Sequence, residues 1–228
     1  MSGNVAGHAF ALTMMCPIKA GTEKNVAFAD AIRNQLEIWN GLPTSPMVKI
    51  PNTYLCRYYV VDDVFSQSLP GGGFWDNALD LWPFPINDRL RLAALPYEDH
   101  LKSRYLVFSS NFHGDLEPYL EGMWRTAEAA IRSVWQHCYG FEHVVDAVTF
   151  IDYAKRCQVD TSLFFVGSND DSLAAQLKAL YVKQEFSRFA QETQDMPAAE
   201  LRRAYLEFMQ RVKPRDDAGL TWKSGQRT

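Results

Sequence analysis

The sequence predicts an α+β protein built around an antiparallel sheet, and two observations carry that prediction. The order strand, helix, strand occurs twice, over residues 8–61 and again over 104–167. The predicted strands are largely apolar on both faces, whereas the predicted helices carry one apolar stripe each, so the sheet asks for cover on two sides. A split βαβ unit repeated in this way gives a four-stranded antiparallel sheet with two helices on one face, the ferredoxin-like βαββαβ arrangement. Two helices cover one face only. A second copy of the chain, packed sheet to sheet, is the economical cover for the other, so a homodimer is expected.

The first strand is His8 to Cys16, with Phe10, Leu12, Met14 and Cys16 on one face. Pro17 to Gly21 ends it, Thr22 can cap a helix to about Asn40, and Gly41 and Pro43 close that helix. Its inner face would hold Val26, Ala29, Ile32, Leu36 and Trp39. The second strand is Tyr54 to Val61, which alternates Tyr54, Cys56, Tyr58 and Val60 against Leu55, Arg57, Tyr59 and Val61. The third is Arg104 to Ser110, followed by a turn at Asn111-Phe112-His113-Gly114 and a long helix that Asp115 can cap. Leu116, Leu120, Met123, Trp124, Ala127, Ile131, Val134, Trp135 and Cys138 recur on that helix at three- and four-residue spacing, and Gly140 is its expected stop. A further helix follows over about Val144–Cys157, then a fourth strand, Thr161 to Gly167. Two C-terminal helices complete the chain. The first is expected to be capped by Asn169, Asp170 and Asp171, and the second to start near Pro197.

Residues 1–170 are thus expected to form the ferredoxin-like domain, with a long inserted loop over 66–103. Residues 171–228 are expected to be helices packed on the same domain, ending in a basic tail over 213–228. The loop carries Gly71-Gly72-Gly73, Trp75 and Trp82, which suits a lid or a dimer arm as well as it suits aromatics laid on a core.

Composition narrows the functional classes. Net charge is −4 over 228 residues, with 47% hydrophobic and 22% charged residues. That is an ordinary globular balance, and with no Lys/Arg stripe in the body it predicts no nucleic-acid partner. No run approaches the apolar length of a membrane span, and the N-terminal residues lack a signal-like apolar stretch, so a cytoplasmic location without membrane attachment is expected. Cys16, Cys56, Cys138 and Cys157 show neither CxxC pairing nor zinc-ligand spacing and are expected to be reduced and buried, and no metal site is predicted. The dinucleotide, P-loop, GxSxG and HExxH patterns are all missing.

The stretches TMMCPIKAG, RYYVVDD, VFSSNFHGDLEPYLEGM and WQHCYGF resemble an uncharacterised bacterial family of the dimeric α+β barrel superfamily. In that family the third strand ends in a similar SNFDGD turn and the following helix in a similar W-x-HC-x-GY motif. The likeness covers roughly residues 10–170, and the chain departs from it at His113 and Phe141. The superfamily contains haem-using enzymes, such as chlorite dismutases and dye-decolourising peroxidases, alongside haem-free monooxygenases and isomerases. The resemblance therefore implies a small-molecule enzyme and makes haem one candidate cofactor, without choosing a reaction.

His113 and Arg57 are the candidate catalytic residues. His113, at the turn that aims the long helix, can act as general base, metal ligand or haem ligand, or be a plain surface histidine. Arg57 is a charge in mid-strand among apolar neighbours, which needs either an internal carboxylate or an anionic ligand. His137, 24 residues from His113 and about 36 Å away along a helix, cannot share a metal with it and is expected to cap the helix end. Tyr58, Tyr59, Trp124, Trp135, Trp75 and Trp82 are the expected lining of a pocket for a small apolar or aromatic ligand, placed between sheet and helices. The two readings are an enzyme, including an oxidoreductase, and a non-catalytic ligand-binding or assembly protein.

Overall fold

The computed structural model describes residues 3–64, 66–67, 98–99, 101–167 and 170–223. In chain order the strands are β1 (Val5–Ala6), β2 (Ala9–Pro17), β3 (Thr22–Glu23), β4 (Val26–Ala27), β5 (Thr53–Val61), β6 (Ser66–Gln67), β7 (Glu98–Asp99) and β8 (Tyr105–His113). The helices are α1 (Phe28–Gly41), α2 (Leu116–Trp135), α3 (Ala147–Cys157), α4 (Leu173–Glu192) and α5 (Ala198–Val212). Trp75 and Trp82 and most of the 66–103 loop lie outside the described residues. No helix among the described residues is long and apolar enough to cross a membrane.

The α+β class holds. The main sheet is antiparallel with the order β1-β2-β8-β5, and β8 pairs along its whole length on both sides. Leu12, Met14 and Cys16 of β2, and Leu106, Phe108, Ser110 and Phe112 of β8, point to the helices and are buried. Partly buried Cys56, Tyr58 and Val60 of β5 continue that face. Against it lie Ala29, Ile32 and Trp39 of α1, Leu120, Met123, Trp124, Ile131, Val134 and Trp135 of α2, and Phe150 and Ala154 of α3. The opposite face holds Thr13 and Met15, Val107, Ser109 and Asn111, and Leu55, Arg57 and Tyr59, by strict alternation. Leu55 and Tyr59 there are exposed.

Four local expectations are corrected. Helix α1 starts at Phe28 and not at Thr22, because Lys24 and Asn25 both take positive φ (51° and 66°) and fold β3 onto β4 as a tight hairpin. Strand β8 runs on through Asn111-Phe112-His113, since Phe10 stacks on Phe112 across the pair and keeps the ladder going; only Gly114, at φ +100°, turns the chain. Helix α4 is capped by Ser172, whose hydroxyl accepts from the Ala175 N–H, and not by Asp170. Finally, Thr161–Gly167 is not a strand. Gln158 and Val159 begin to pair with β2 at Met14 and Thr13, but residues 4–6 already occupy the next stretch of that edge. The Asn4 side chain then takes the Thr161 N–H at 2.6 Å, and the chain continues extended with Leu163 83% and Phe165 80% exposed.

Candidate functional site

The expected pocket between sheet and helices is filled by the protein itself. Trp135 has no exposed surface and Trp124 is buried. Trp135 packs edge-on against Phe108, Tyr58 and Phe150, while Trp124 lies over Phe150 with the Arg132 guanidinium 4.7 Å from its ring. These tryptophans hold α2 and α3 on the sheet. Burial likewise pushes the Tyr58 phenol well up, and its hydroxyl meets the Met47 sulfur at 3.0 Å.

Arg57 is not buried. It projects from the sheet face away from α1–α3, opposite Ser109 and beyond it Thr13, and forms no ion pair among the described residues; at the other end of that face Ala9 and Ala11 are buried, with residues 164–166 close by. Of the carboxylates that could pair it internally, Glu23, Asp30, Asp62 and Asp115, none does so; Asp30 and Asp62 both bind Arg33, whose guanidinium keeps the Asp62 carboxyl low. Arg57, Tyr58 and Tyr59 border a cavity of about 530 Å³ at the free edge of β5, closed on its other side by Leu36, Trp39 and Met47.

His113, half-buried, lies on the same face of the sheet, at the far end of β8. A bulge in β5 between Thr53 and Leu55 turns Tyr54 to this side as well, and its ring meets the His113 imidazole edge-on at 6.3 Å. Four residues separate His113 from Ser109, the partner of Arg57, which puts the two candidates roughly 14 Å apart along the sheet. They can act on two ends of one ligand, not on one atom.

Two residues that sequence reasoning missed gather at His113. His8, next to the register partner of His113, stacks on it with centroids 5.5 Å apart. Its Nδ1 lies 2.6 Å from Oδ2 of Asp170, and its backbone N–H donates to both carboxylate oxygens at 2.9 and 3.0 Å. Those bonds, the backbone one first, hold the Asp170 carboxyl below the usual range. Gly7, at φ +63°, makes this approach possible, because a Cβ there would fall 2.5 Å from the same carboxylate oxygen. The side-chain ligand atoms of His8, His113 and Asp170 all lie within 4.8 Å of one another. A cavity of about 220 Å³ adjoins them, lined by Ala9, Leu55, Asn111, Phe164 and Phe165 among others. It is below the roughly 300–1,000 Å³ of sites that enclose drug-sized ligands, and the His113 ring is already stacked, so the described residues do not fit haem there.

No family model, curated protein or solved structure matches this chain. The candidate residues therefore rest on their own geometry. His137 is buried against Phe28, and burial first of all lowers its pKa, so the imidazole is held neutral and not as the charged cap expected of it. Three of the four cysteines, Cys16, Cys138 and Cys157, which looked scattered, lie under the sheet around Tyr153, whose buried hydroxyl has no hydrogen-bond partner among the described residues. The Cys157 thiol is lowered to about 7, chiefly by a hydrogen bond with Cys16, whose own thiol is pushed up. Burial raises Cys138 to about 12.

Proposed function

We propose that the chain is a small-molecule enzyme of the dimeric α+β barrel type, with a ferredoxin-like domain whose sheet face away from α1–α3, covered in part by residues 164–166 among the described residues, forms the reaction chamber when a second copy closes over the remainder. The observation that carries this reading is that Arg57 and His113 both project from that one face, amid Leu55, Tyr59, Val107 and Met15. The order of the three long strands, β2-β8-β5, is that of strands one, three and two of the ferredoxin-like pattern, and Gln158–Val159 start to pair where its fourth strand would lie. A monomer that leaves Leu55, Tyr59, Leu163 and Phe165 exposed together has an apolar surface suited to association.

The substrate is apolar or aromatic, elongated, and anionic at one end. Arg57 holds the anionic end, its guanidinium being free for a bidentate carboxylate contact. The aromatic body lies along the Tyr59 and Leu55 side of the face. His113, reached at the other end, moves a proton at a carbon or oxygen of the substrate. An isomerase, which needs only the proton transfer, or a cofactor-free oxidoreductase in which dioxygen takes the electrons from the deprotonated substrate, is the reaction class that such a constellation serves.

The test joins two measurements. Light scattering is expected to give a dimer, and native mass spectrometry a co-purifying small acid that Arg57→Ala releases while unfolding stability stays within about 0.5 kcal/mol of wild type, as expected for an exposed, unpaired side chain. A monomer refutes the closed chamber. Unchanged ligand affinity in both Arg57→Ala and His113→Ala refutes the site.

A further inference from the structure

We propose that His8, His113 and Asp170 form a binding site for a first-row divalent transition ion. His8 and His113 are brought together by backbone contacts independent of their side chains, and Asp170, from a distant part of the chain, joins them through its carboxylate. His8 and His113 are fixed by the β2–β8 ladder, the Gly114 N–H donates to the His8 carbonyl at 2.8 Å, and the His113 N–H donates to the Asn52 carbonyl at 3.0 Å. Asp170 is drawn back onto Gly7 and His8 instead of capping the helix it precedes. Two imidazoles and one carboxylate form a donor set of borderline softness, which favours zinc- or iron-like ions over magnesium and calcium, whose ligands are oxygens.

The geometry is close to what such an ion needs. With metal–ligand bonds of about 2.0–2.2 Å, tetrahedral ligand atoms sit roughly 3.3–3.5 Å apart. The His8–Asp170 pair at 2.6 Å has to open by less than about 1 Å, and no other separation has to close by more than about 1.5 Å from the 4.8 Å limit. His8, with 73% of its side chain exposed, has the freedom to make that adjustment. Neighbouring groups already orient the ligands: the His8 N–H holds the Asp170 carboxylate, and Tyr54, whose hydroxyl is anchored on the Asp171 carbonyl at 2.8 Å, abuts the His113 ring. Three protein ligands leave a coordination position for water beside the cavity lined by Leu55, Asn111 and Phe165. A water held there is acidified and can attack or deprotonate a polarised substrate group.

This inference rests on the proposed function in placing His113 at the working end of the site, and deepens it there: with His113 as a ligand, the ion-bound water takes over the proton transfer assigned to the imidazole; it is tested without turnover. The untagged full chain is titrated with Co²⁺, followed by visible absorption, and with Zn²⁺ by calorimetry, Mg²⁺ serving as control. One saturable equivalent of Co²⁺ displaced by Zn²⁺ is expected, with no response to Mg²⁺. His8→Ala, His113→Ala and Asp170→Asn are each expected to weaken binding about 10- to 100-fold, whereas His143→Ala, an exposed histidine outside the cluster, leaves it unchanged. His8→Ala removes an exposed side chain, so this variant reports on ligation in a folded protein, checked by circular dichroism. No saturable equivalent, or single variants within twofold of wild type, or an equal loss in His143→Ala, overturns the site. Metal binding without any turnover leaves the site standing and counts against the proposed function; turnover by metal-free protein that binds no Co²⁺ does the reverse.

Discussion

Replacing Gly7 separates two things that the structure asks of one residue. At φ +63° a side chain with a Cβ occupies the left-handed region, at a cost of about 1–2 kcal/mol for an ordinary L-residue. The same Cβ would also stand 2.5 Å from Oδ2 and 2.8 Å from Cγ of Asp170, so the carboxylate must leave its place against the His8 N–H. Gly7→Ala incurs both effects. Gly7→Asn incurs mainly the second, because asparagine tolerates the left-handed conformation. In urea unfolding, alanine is expected to lower stability by about 1–2 kcal/mol, which corresponds to roughly 2–8 °C in melting temperature for a domain of this size. Asparagine should recover more than half of that loss. In Co²⁺ titration the two variants should behave alike, each about tenfold or more weaker than wild type, because both displace Asp170. If alanine and asparagine are both as stable as glycine, the backbone at residue 7 is not left-handed. If either keeps full Co²⁺ affinity, the close approach of Gly7 does not position Asp170.

Two further outcomes follow from buried groups. Ser110→Ala removes the 2.7 Å hydrogen bond between the serine and Tyr119 hydroxyls on the buried face of β8, leaving the latter with the longer 3.3 Å bond from the Thr53 hydroxyl, and should cost about 1 kcal/mol, with a measurable coupling energy to Tyr119→Phe in a double-mutant cycle; strictly additive losses in denaturant melts would show that the pair does not interact. Alkylation of Cys157 by iodoacetamide should rise with a midpoint near pH 7, and Cys16→Ala should move that midpoint up toward the ordinary thiol range. The sign for stability follows: the folded state gives up this proton before the unfolded chain does, so the Cys157 contribution is lost as pH falls through about 7 and grows as pH rises from there toward the ordinary thiol value. Mass-spectrometric mapping that finds the first alkylation at another cysteine, or no shift in Cys16→Ala, refutes the coupling.

The sheet was legible in the sequence because its signal is local. Alternation along 8–16, 54–61 and 104–110 places Leu12, Met14, Phe108 and Tyr58 on one face, and the three- and four-residue spacing of Leu120, Met123, Trp124, Ile131 and Trp135 describes the face of α2 that covers them. What sequence reasoning missed depends on competition between distant segments. TSLFFVG has every mark of a strand, yet an edge can be paired only once, and Asn4–Ala6 reaches β2 first along the stretch it needs. Helical capping is the common use of an Asp three residues before a helix, and nothing in the local pattern says that Asp170 faces His8 across 162 residues of chain. His113 was visible as a chemical candidate; its partners were not, although His8 lies at the start of a predicted strand and Gly7 before it hints at a close approach. Trp124 and Trp135 are core and not pocket lining for a different reason, since a tryptophan stripe at helical spacing suits a packed interior as well as it suits a pocket, whereas Tyr58 and Tyr59 do border a cavity.

The covering of β2 also decides how this molecule can meet its neighbours. Its outer backbone groups are taken up in three short pieces: by residues 4–6, by Gln158–Val159, and, at the far end, by Cys138 and Tyr139 against Ile18 and Pro17. No peptide from another molecule can add a strand on that flank without unseating one of them. β5 on the opposite flank has no strand paired along its outer edge among the described residues. Any lengthening of the sheet by a second copy is therefore self-limiting: pairing β5 to β5 uses the open edge of each molecule and leaves only the blocked β2 flanks outside, so edge-to-edge addition ends at two copies.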